Sequence, residues 1–279
     1  MNSTINVHRF QAGLFPVNAY LVETADAVVA IDATLGVSDG RALAGRVRQL
    51  GKPLAGVIVT HSHPDHYGAI GTLIEGAPVP VFAVEGVDWV IRRDDAEKEV
   101  ILRPMFGKEW AAVREFPNRA VRDGERVSVG GAVFRVIDAG PGESPHDSWW
   151  VLEGQGPARV FTGDLVYGRM HAYLADGFHQ AWLSNLERAK REFPRDAQLY
   201  MGHGEPAVGH TLLDWQRQYI ERFLGSVQSL AGDERLQGDA LVDAVTARMK
   251  SHLPTEDLLF LTRLSVTPLR EQMVKAARR

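Results

Sequence analysis

Thr60-His61-Ser62-His63-Pro64-Asp65-His66 follows directly on the apolar run Val57-Ile58-Val59. Three imidazoles and a carboxylate fall within positions 61–66 of a chain that has only 10 histidines in 279 residues. A strand that empties into such a cluster builds a metal site. Imidazole nitrogen and carboxylate oxygen are the donors zinc takes where thiolate is absent, and this chain has no cysteine. The plain alternative is a polar loop that happens to be rich in histidine. So tight a His/Asp set after a strand has few uses of that kind.

Composition sets the frame for that site. The length fits one large domain, or one domain with a small addition. With 45% hydrophobic and 24% charged residues the chain has an ordinary globular balance, and it is long enough to bury a core without disulfides. The net charge of −4, without a long basic run, argues against nucleic acid as the main partner, because phosphate neutralisation needs clustered Lys and Arg. No apolar stretch has the length of a membrane span. Met1-Asn2-Ser3-Thr4-Ile5-Asn6 lacks the charged start and apolar segment of a secretory leader. The expected compartment is the cytoplasm.

Working outward from the motif, residues 7–33 read as β structure, with Ala19–Glu23 and Ala27–Asp32 as strands. Asp39–Leu50 has helical spacing and is stopped by Gly51 and Pro53. A helix is expected from Gly68 to Ile74 and a strand over Pro80–Val84. Residues 87–118 read as helix broken at Pro104 and Gly107. Their aromatic residues either wall a pocket or form a surface helix pair with its own small core. Strands return at 127–129, 132–138, 148–152 and 159–164. Ser184-Asn185-Leu186-Glu187 fits a capping box opening a helix to Phe193, and Gln198–Met201 is a short strand. Helices follow over 211–230, 239–253 and 255–279, the last broken near Pro268. This rhythm predicts a layered α/β fold. The last fifty-odd residues read as a helical appendage or a dimerisation element, so a homodimer is one expected assembly.

More donors appear at later strand exits, each with glycine close by. They are His146 in Pro141-Gly142-Glu143-Ser144-Pro145-His146, Asp164 in Thr162-Gly163-Asp164, and His203 in Gly202-His203-Gly204. Strand exits are where α/β proteins place their chemistry, and glycine lets backbone pass close to a ligand.

The order His-x-His-x-Asp-His, Pro-Gly-…-His, Thr-Gly-Asp, Gly-His-Gly resembles the metallo-β-lactamase-fold hydrolases over about residues 7–210, in their glyoxalase II and N-acyl homoserine lactonase branch. The resemblance implies an αββα four-layer sandwich over residues 1–224, with a C-terminal helical extension over residues 225–279. It also implies a dinuclear centre in which His61, His63 and His146 hold the first metal. Asp65, His66 and His203 would hold the second, and Asp164 would bridge them. The loop at His146 departs from the family's usual Thr-Pro-Gly-His-Thr-x-Gly-His. Tyr167 matches the Asp-x-x-Tyr position of the lactonases, which implies a phenol hydrogen-bonded to a substrate carbonyl or leaving oxygen. Simple packing beneath the site is the alternative.

Two divalent cations about 3.5–4 Å apart would clamp one water and lower its pKa, making a bridging hydroxide the nucleophile. Asp65 would orient it or pass a proton to the leaving group. Asp32, at a strand end, is placed to accept from a ligand imidazole. Zn²⁺ is the expected metal, and Mn²⁺ and Fe²⁺ accept the same donors. The expected activity is hydrolysis of a small carbonyl ester, lactone ahead of thioester. A lactam, a phosphodiester and a non-catalytic metal-stabilised binding protein are the alternatives. His171 and His179 read as exposed loop histidines, and His8, His210 and His252 carry no assigned role.

Overall fold

The computed structural model describes residues 5–233 and 235–277. Strands β1 (Asn6–Gln11), β2 (Asn18–Glu23) and β3 (Val28–Ile31) form an antiparallel meander. Helix α1 (Val37–Gln49) then crosses to β4 (Leu54–Ile58), which runs parallel to β3. Helices α2 (Pro64–Tyr67) and α3 (Ile70–Ile74) lead to β5 (Val81–Val84), and α4 (Glu85–Phe106) leads to β6 (Arg119–Val121). The sheet order is β1-β2-β3-β4-β5-β6. A second meander, β7 (Arg126–Val129), β8 (Ala132–Gly140), β9 (Asp147–Leu152) and β10 (Arg159–Gly168), opens the other sheet. Helix α5 (His179–Glu192) crosses to β11 (Gln198–Gly204), parallel to β10, and β12 (Ala207–Val208) forms the edge. Helices α6 (Thr211–Ala231), α7 (Asp239–His252) and α8 (Leu259–Ala277) complete the chain.

The layers follow from where the apolar side chains point. Val28-Val29-Ala30-Ile31 is buried throughout, as a strand covered on both faces must be. One core joins the first sheet to Phe134, Trp150 and Phe161 of the second, and to Leu43, Ile70 and Ile91 of its own helices. The other lies between the second sheet and α5–α8, around Trp149, Trp182, Leu186, Tyr219 and Phe223. Helices therefore cover both outer faces, and the expected αββα sandwich is the observed one. Among the described residues no helix is long and apolar enough to cross a membrane.

Several local expectations are corrected. Ser184 does not open a helix. It sits inside α5, with its hydroxyl bonded to the Gln180 carbonyl at 3.0 Å. The apolar stripe of Trp182, Leu186 and Ala189 extends the helix back to His179, so burial overrides the local capping pattern. Pro104 and Pro268 lie inside α4 and α8. Each forfeits the bond to the carbonyl four residues back, and around Pro268 the buried Val266 and Leu269 hold the helix by packing. The last two residues of the helix expected to reach Arg279 lie outside the described residues. The boundary expected at 224/225 falls within α6, and Val227, Leu241, Val245, Met249 and Val266 share one core with Val160, Leu165 and Leu199 of the sheet. His171 is not an exposed loop residue. It is fully buried, with Nδ1 3.0 Å from the Tyr219 hydroxyl of α6.

Candidate metal centre

β4 ends at Ile58, and the chain turns into α2 with His63 at the cap and Pro64 at the first helical position. Proline suits that position because its missing N–H is unneeded there. This tight turn is what lets Asp65 and His66 face back toward His61. Asp32 leaves the end of β3 at φ 61°, a left-handed conformation that aspartate tolerates better than most residues. Its carboxylate accepts the Thr60 amide at 2.9 Å and the Thr60 hydroxyl at 2.9 Å. His61 in turn pairs with Asp147 of β9 through an isolated antiparallel bridge, which brings the ends of the two sheets together. Gly202 is required by proximity: a Cβ there would strike Asp164 Oδ1 and the His66 ring.

Two groups of donors result, Asp65, His66, Asp164 and His203 in one, and His61, His63 and Glu143 in the other. Asp164 faces both. Its Oδ1 is 3.5 Å from His66 Nε2, and its Oδ2 is 3.1 Å from His203 Nε2 and 3.9 Å from His61 Nε2. Asp65 Oδ2 lies 3.5 Å from His66 Nε2 and 3.4 Å from His203 Nε2. Glu143 Oε2 lies 2.8 Å from His63 Nδ1 and 3.6 Å from His61 Nε2. Six of the seven expected ligands are thus brought together, and His146 is not.

The loop between β8 and β9 explains that correction. The Asp147 carboxylate accepts the amides of Glu143, at 2.6 Å, and of Ser144. This folds the loop back and points Glu143 inward. His146 is turned away to Asp138, Nε2 to Oδ1 2.8 Å, with its ring against Gly86. Sequence reading missed Glu143. The one available signal was a carboxylate next to Gly142 in a loop that departs from the family pattern.

The arrangement passes a test of fit to metal. His61 Nε2, His66 Nε2, Glu143 Oε2 and both Asp164 carboxylate oxygens are buried without an aligned hydrogen bond, although His63 Nδ1 and His203 Nε2 stand within contact of the two carboxylates. Buried polar atoms left unpaired are rare and costly. Five at one place, all imidazole nitrogen or carboxylate oxygen, are a donor set for divalent metal. The far nitrogen of each imidazole is tied down. His61 Nδ1 meets Thr60 Oγ1 at 3.1 Å, His63 Nε2 meets Asp176 at 3.1 Å, His66 Nδ1 meets Asp32 at 2.8 Å, and His203 Nδ1 donates to the Pro16 carbonyl at 2.6 Å. Such contacts fix the tautomer and turn the other nitrogen's lone pair inward. The role expected of Asp32 matches its place here.

Charge is concentrated and mutually perturbed. Burial works to lower His203, but Asp164 and Asp65 outweigh it and hold the imidazole up to about 10. His66 is raised in the same way, against burial, by Asp164, Asp65 and Asp32. Burial pushes Glu143 up to about 8 against the pull of His63. His61 falls well below its ordinary value through burial and the charge of His66. Asp65 is the one carboxylate of the set that solvent reaches, at 13% against 1% for Asp164 and 0% for Glu143.

Tyr167 is buried behind the centre, and its hydroxyl donates to Glu143 Oε1 at 2.8 Å. The structure gives the phenol a partner other than the substrate oxygen expected for it. The aromatic flank also differs from expectation. Tyr173 stands edge-on to His63, and Phe15 stands edge-on to His203 and to Phe260 of α8. In the 89–116 segment, Trp89 is exposed beside Arg93, and Trp110 is buried with its indole N–H on Glu99. Ile91 and Phe116 of that segment pack with the core of the first sheet, and Lys98 of α4 reaches the Ser62 carbonyl at 2.7 Å.

Known proteins similar in sequence to this chain include an uncharacterized protein, YobT, of Bacillus subtilis (strain 168). It is 46% identical over 49% of this chain and 57% of its own. A hydroxyacylglutathione hydrolase of Prochlorococcus marinus (strain MIT 9301) is 28% identical over 54% of this chain and 51% of its own. The chain therefore spans about half the length of these curated relatives. Among solved structures, a beta-lactamase domain protein from Burkholderia ambifaria superposes with a TM-score of 0.72 at 19% identity, covering 98% of this chain and 87% of that one. That likeness supports the fold. The model of the metallo-beta-lactamase superfamily matches residues 12–203. With more than half its length so matched, the chain belongs to the metallo-beta-lactamase superfamily.

Proposed function

We propose that this chain is a metal-dependent hydrolase of a small carbonyl ester or thioester. The convergence of five buried donor atoms without an aligned hydrogen bond, from His61, His66, Glu143 and Asp164, carries the reading. His61, His63 and Glu143 would hold one cation, and Asp65, His66 and His203 a second, with Asp164 shared. Zn²⁺ suits these donors, as do Mn²⁺ and Fe²⁺. Divalent cations so held supply Lewis acidity and an ionisable water, so no side-chain nucleophile is required.

The chain's own residues do the rest. Glu143 and Asp164 set negative charge beside the cations, and both are sealed from solvent. Asp65 reaches solvent, which suits it to carry a proton to the leaving group. Phe15, Tyr173 and Phe260 offer an apolar flank to the part of the substrate that does not react.

Lactone and thioester stand on different observations. The Asp164-x-x-Tyr167 spacing favours a lactone only through a free phenol, and here the hydroxyl is engaged by Glu143. A thioester is supported by the hydroxyacylglutathione hydrolases among the relatives. Parallel turnover assays on metal-loaded protein with an acyl lactone, a glutathione thioester, a phosphodiester and a cephalosporin separate the readings. Turnover of the phosphodiester or the cephalosporin alone would overturn the proposal.

A further inference from the structure

Tyr167 stands between the two donor groups and touches both. Its hydroxyl donates to Glu143 Oε1 of the first group at 2.8 Å. Its ring lies over His203 of the second, with centroids 4.8 Å and planes 20° apart. The backbone enforces this, because Tyr167 and His203 are register partners on the parallel strands β10 and β11. The Tyr167 amide donates to Gln216 Oε1 of α6 at 3.0 Å, and Trp182 of α5 closes the ring's surroundings. With 1% exposure the side chain has no room to swing toward the mouth.

Glu143 needs such a partner. It sits in the β8–β9 loop, outside any strand or helix. Its Oε2 faces His61 and His63, and its Oε1 has the Tyr167 hydroxyl as its hydrogen-bond donor. A buried carboxylate that offers one oxygen to a cation leaves the other unsatisfied unless a donor meets it. The phenol meets it and also selects the rotamer that turns Oε2 inward.

We propose that Tyr167 is a positioning residue of this centre. Its hydroxyl aims the Glu143 carboxylate at the first cation position, and its ring steadies His203 at the second. The proposal rests on the two-cation reading above. It makes the two contributions separable, since Tyr167→Phe removes the hydroxyl and keeps the ring, while Tyr167→Leu removes both.

The test is titration of the chelator-stripped full chain with Co²⁺ alone, followed by visible absorption and by the number of ions bound. Wild type, Tyr167→Phe, Tyr167→Leu and Glu143→Gln are compared, each first checked for native circular dichroism. The wild type should take two ions. Tyr167→Phe should weaken one binding step roughly 10–100-fold, the range for loss of a contact that orients a ligand, and Glu143→Gln should weaken the same step. Tyr167→Leu should weaken both steps. If Tyr167→Phe binds both ions as the wild type does, or loses both steps equally, the role is overturned. If the wild type itself takes fewer than two ions, the two-cation reading falls, an outcome distinct from a twice-loading wild type matched by Tyr167→Phe.

Discussion

Asp32 Oδ2 lies 2.8 Å from His66 Nδ1, and the same carboxylate takes the amide and hydroxyl of Thr60. One side chain at the end of β3 therefore fixes both the residue that precedes the histidine motif and the histidine that ends it. Because Asp32 sits at φ 61°, its substitutes must also tolerate a left-handed backbone.

Asp32→Ala should weaken metal binding roughly 10–100-fold by freeing the His66 tautomer. It should also cost about 1–3 kcal/mol of stability, because buried Thr60 donors lose their acceptor. Asp32→Asn keeps an acceptor for Thr60 and a side chain suited to this backbone, so its stability loss should be the smaller one. Chelator competition and thermal denaturation measure the two effects. Unchanged metal affinity in Asp32→Ala would refute the link to His66.

Glu143 and His146 make opposite predictions. Glu143→Gln should lower the metal content of the purified chain, since its carboxylate faces His61 and His63. His146→Ala should leave that content unchanged and alter stability by about 1 kcal/mol or less, as it breaks a partly exposed pair with Asp138. Elemental analysis of both variants decides the matter, and loss of metal in His146→Ala alone would reverse the assignment.

Metal uptake should release protons. Burial raises Glu143 to about 8, and the carboxylates around His203 hold it up to about 10. Both shifts favour the protonated form in the metal-free chain near pH 7, and each group must lose its proton to ligate. Apparent affinity should therefore rise as pH rises from 6 to 8. The sign for folding is opposite. The raised His203 stabilises the metal-free fold below its ordinary value of 6.5, and that contribution is lost as pH climbs toward 10. Calorimetric titration at one pH in two buffers of different ionisation enthalpy reads the protons directly. Identical heats in the two buffers would contradict the prediction.

The C-terminal helices should prove inseparable from the sandwich. Ending the chain after Leu224 removes Val227, Leu241, Val245, Met249, Leu258, Leu261, Val266 and Leu269 from a shared core. Each buried side chain of this kind contributes about 1.5–3 kcal/mol, against a total stability of about 5–15 kcal/mol for a typical domain. The 1–224 fragment should show no cooperative thermal transition and should be digested rapidly by protease. A sharp transition would mean that the sandwich folds without them.

Asp65→Asn should keep the fold and lose most turnover, because Asp65 is the solvent-reached carboxylate of the centre. The assay is steady-state hydrolysis of whichever ester is turned over, with metal content measured alongside. Near-normal turnover at full metal loading would remove Asp65 from the proton path.

Residues close together in sequence were enough to read much of this. The run Val57-Ile58-Val59 into His61, His63, Asp65 and His66 is decided locally, because a strand, a proline-started turn and short spacings leave those side chains little choice. Strand rhythm and glycine likewise marked Asp164 and His203. The short strands β6 and β12 went unread, since 3 and 2 residues carry too little periodicity.

The chain order alone thus pointed to a layered α/β fold and marked six of the candidate donors that the structure brings together, through patterns that act over a few residues. Which of Glu143 and His146 turns inward was decided by Asp147 gripping two loop amides. What Tyr167 does was decided by the registry of β10 with β11, and the reach of α8 to Phe15 by helix packing. Those outcomes depend on groups far apart along the backbone, and only the folded packing brings them within bonding distance.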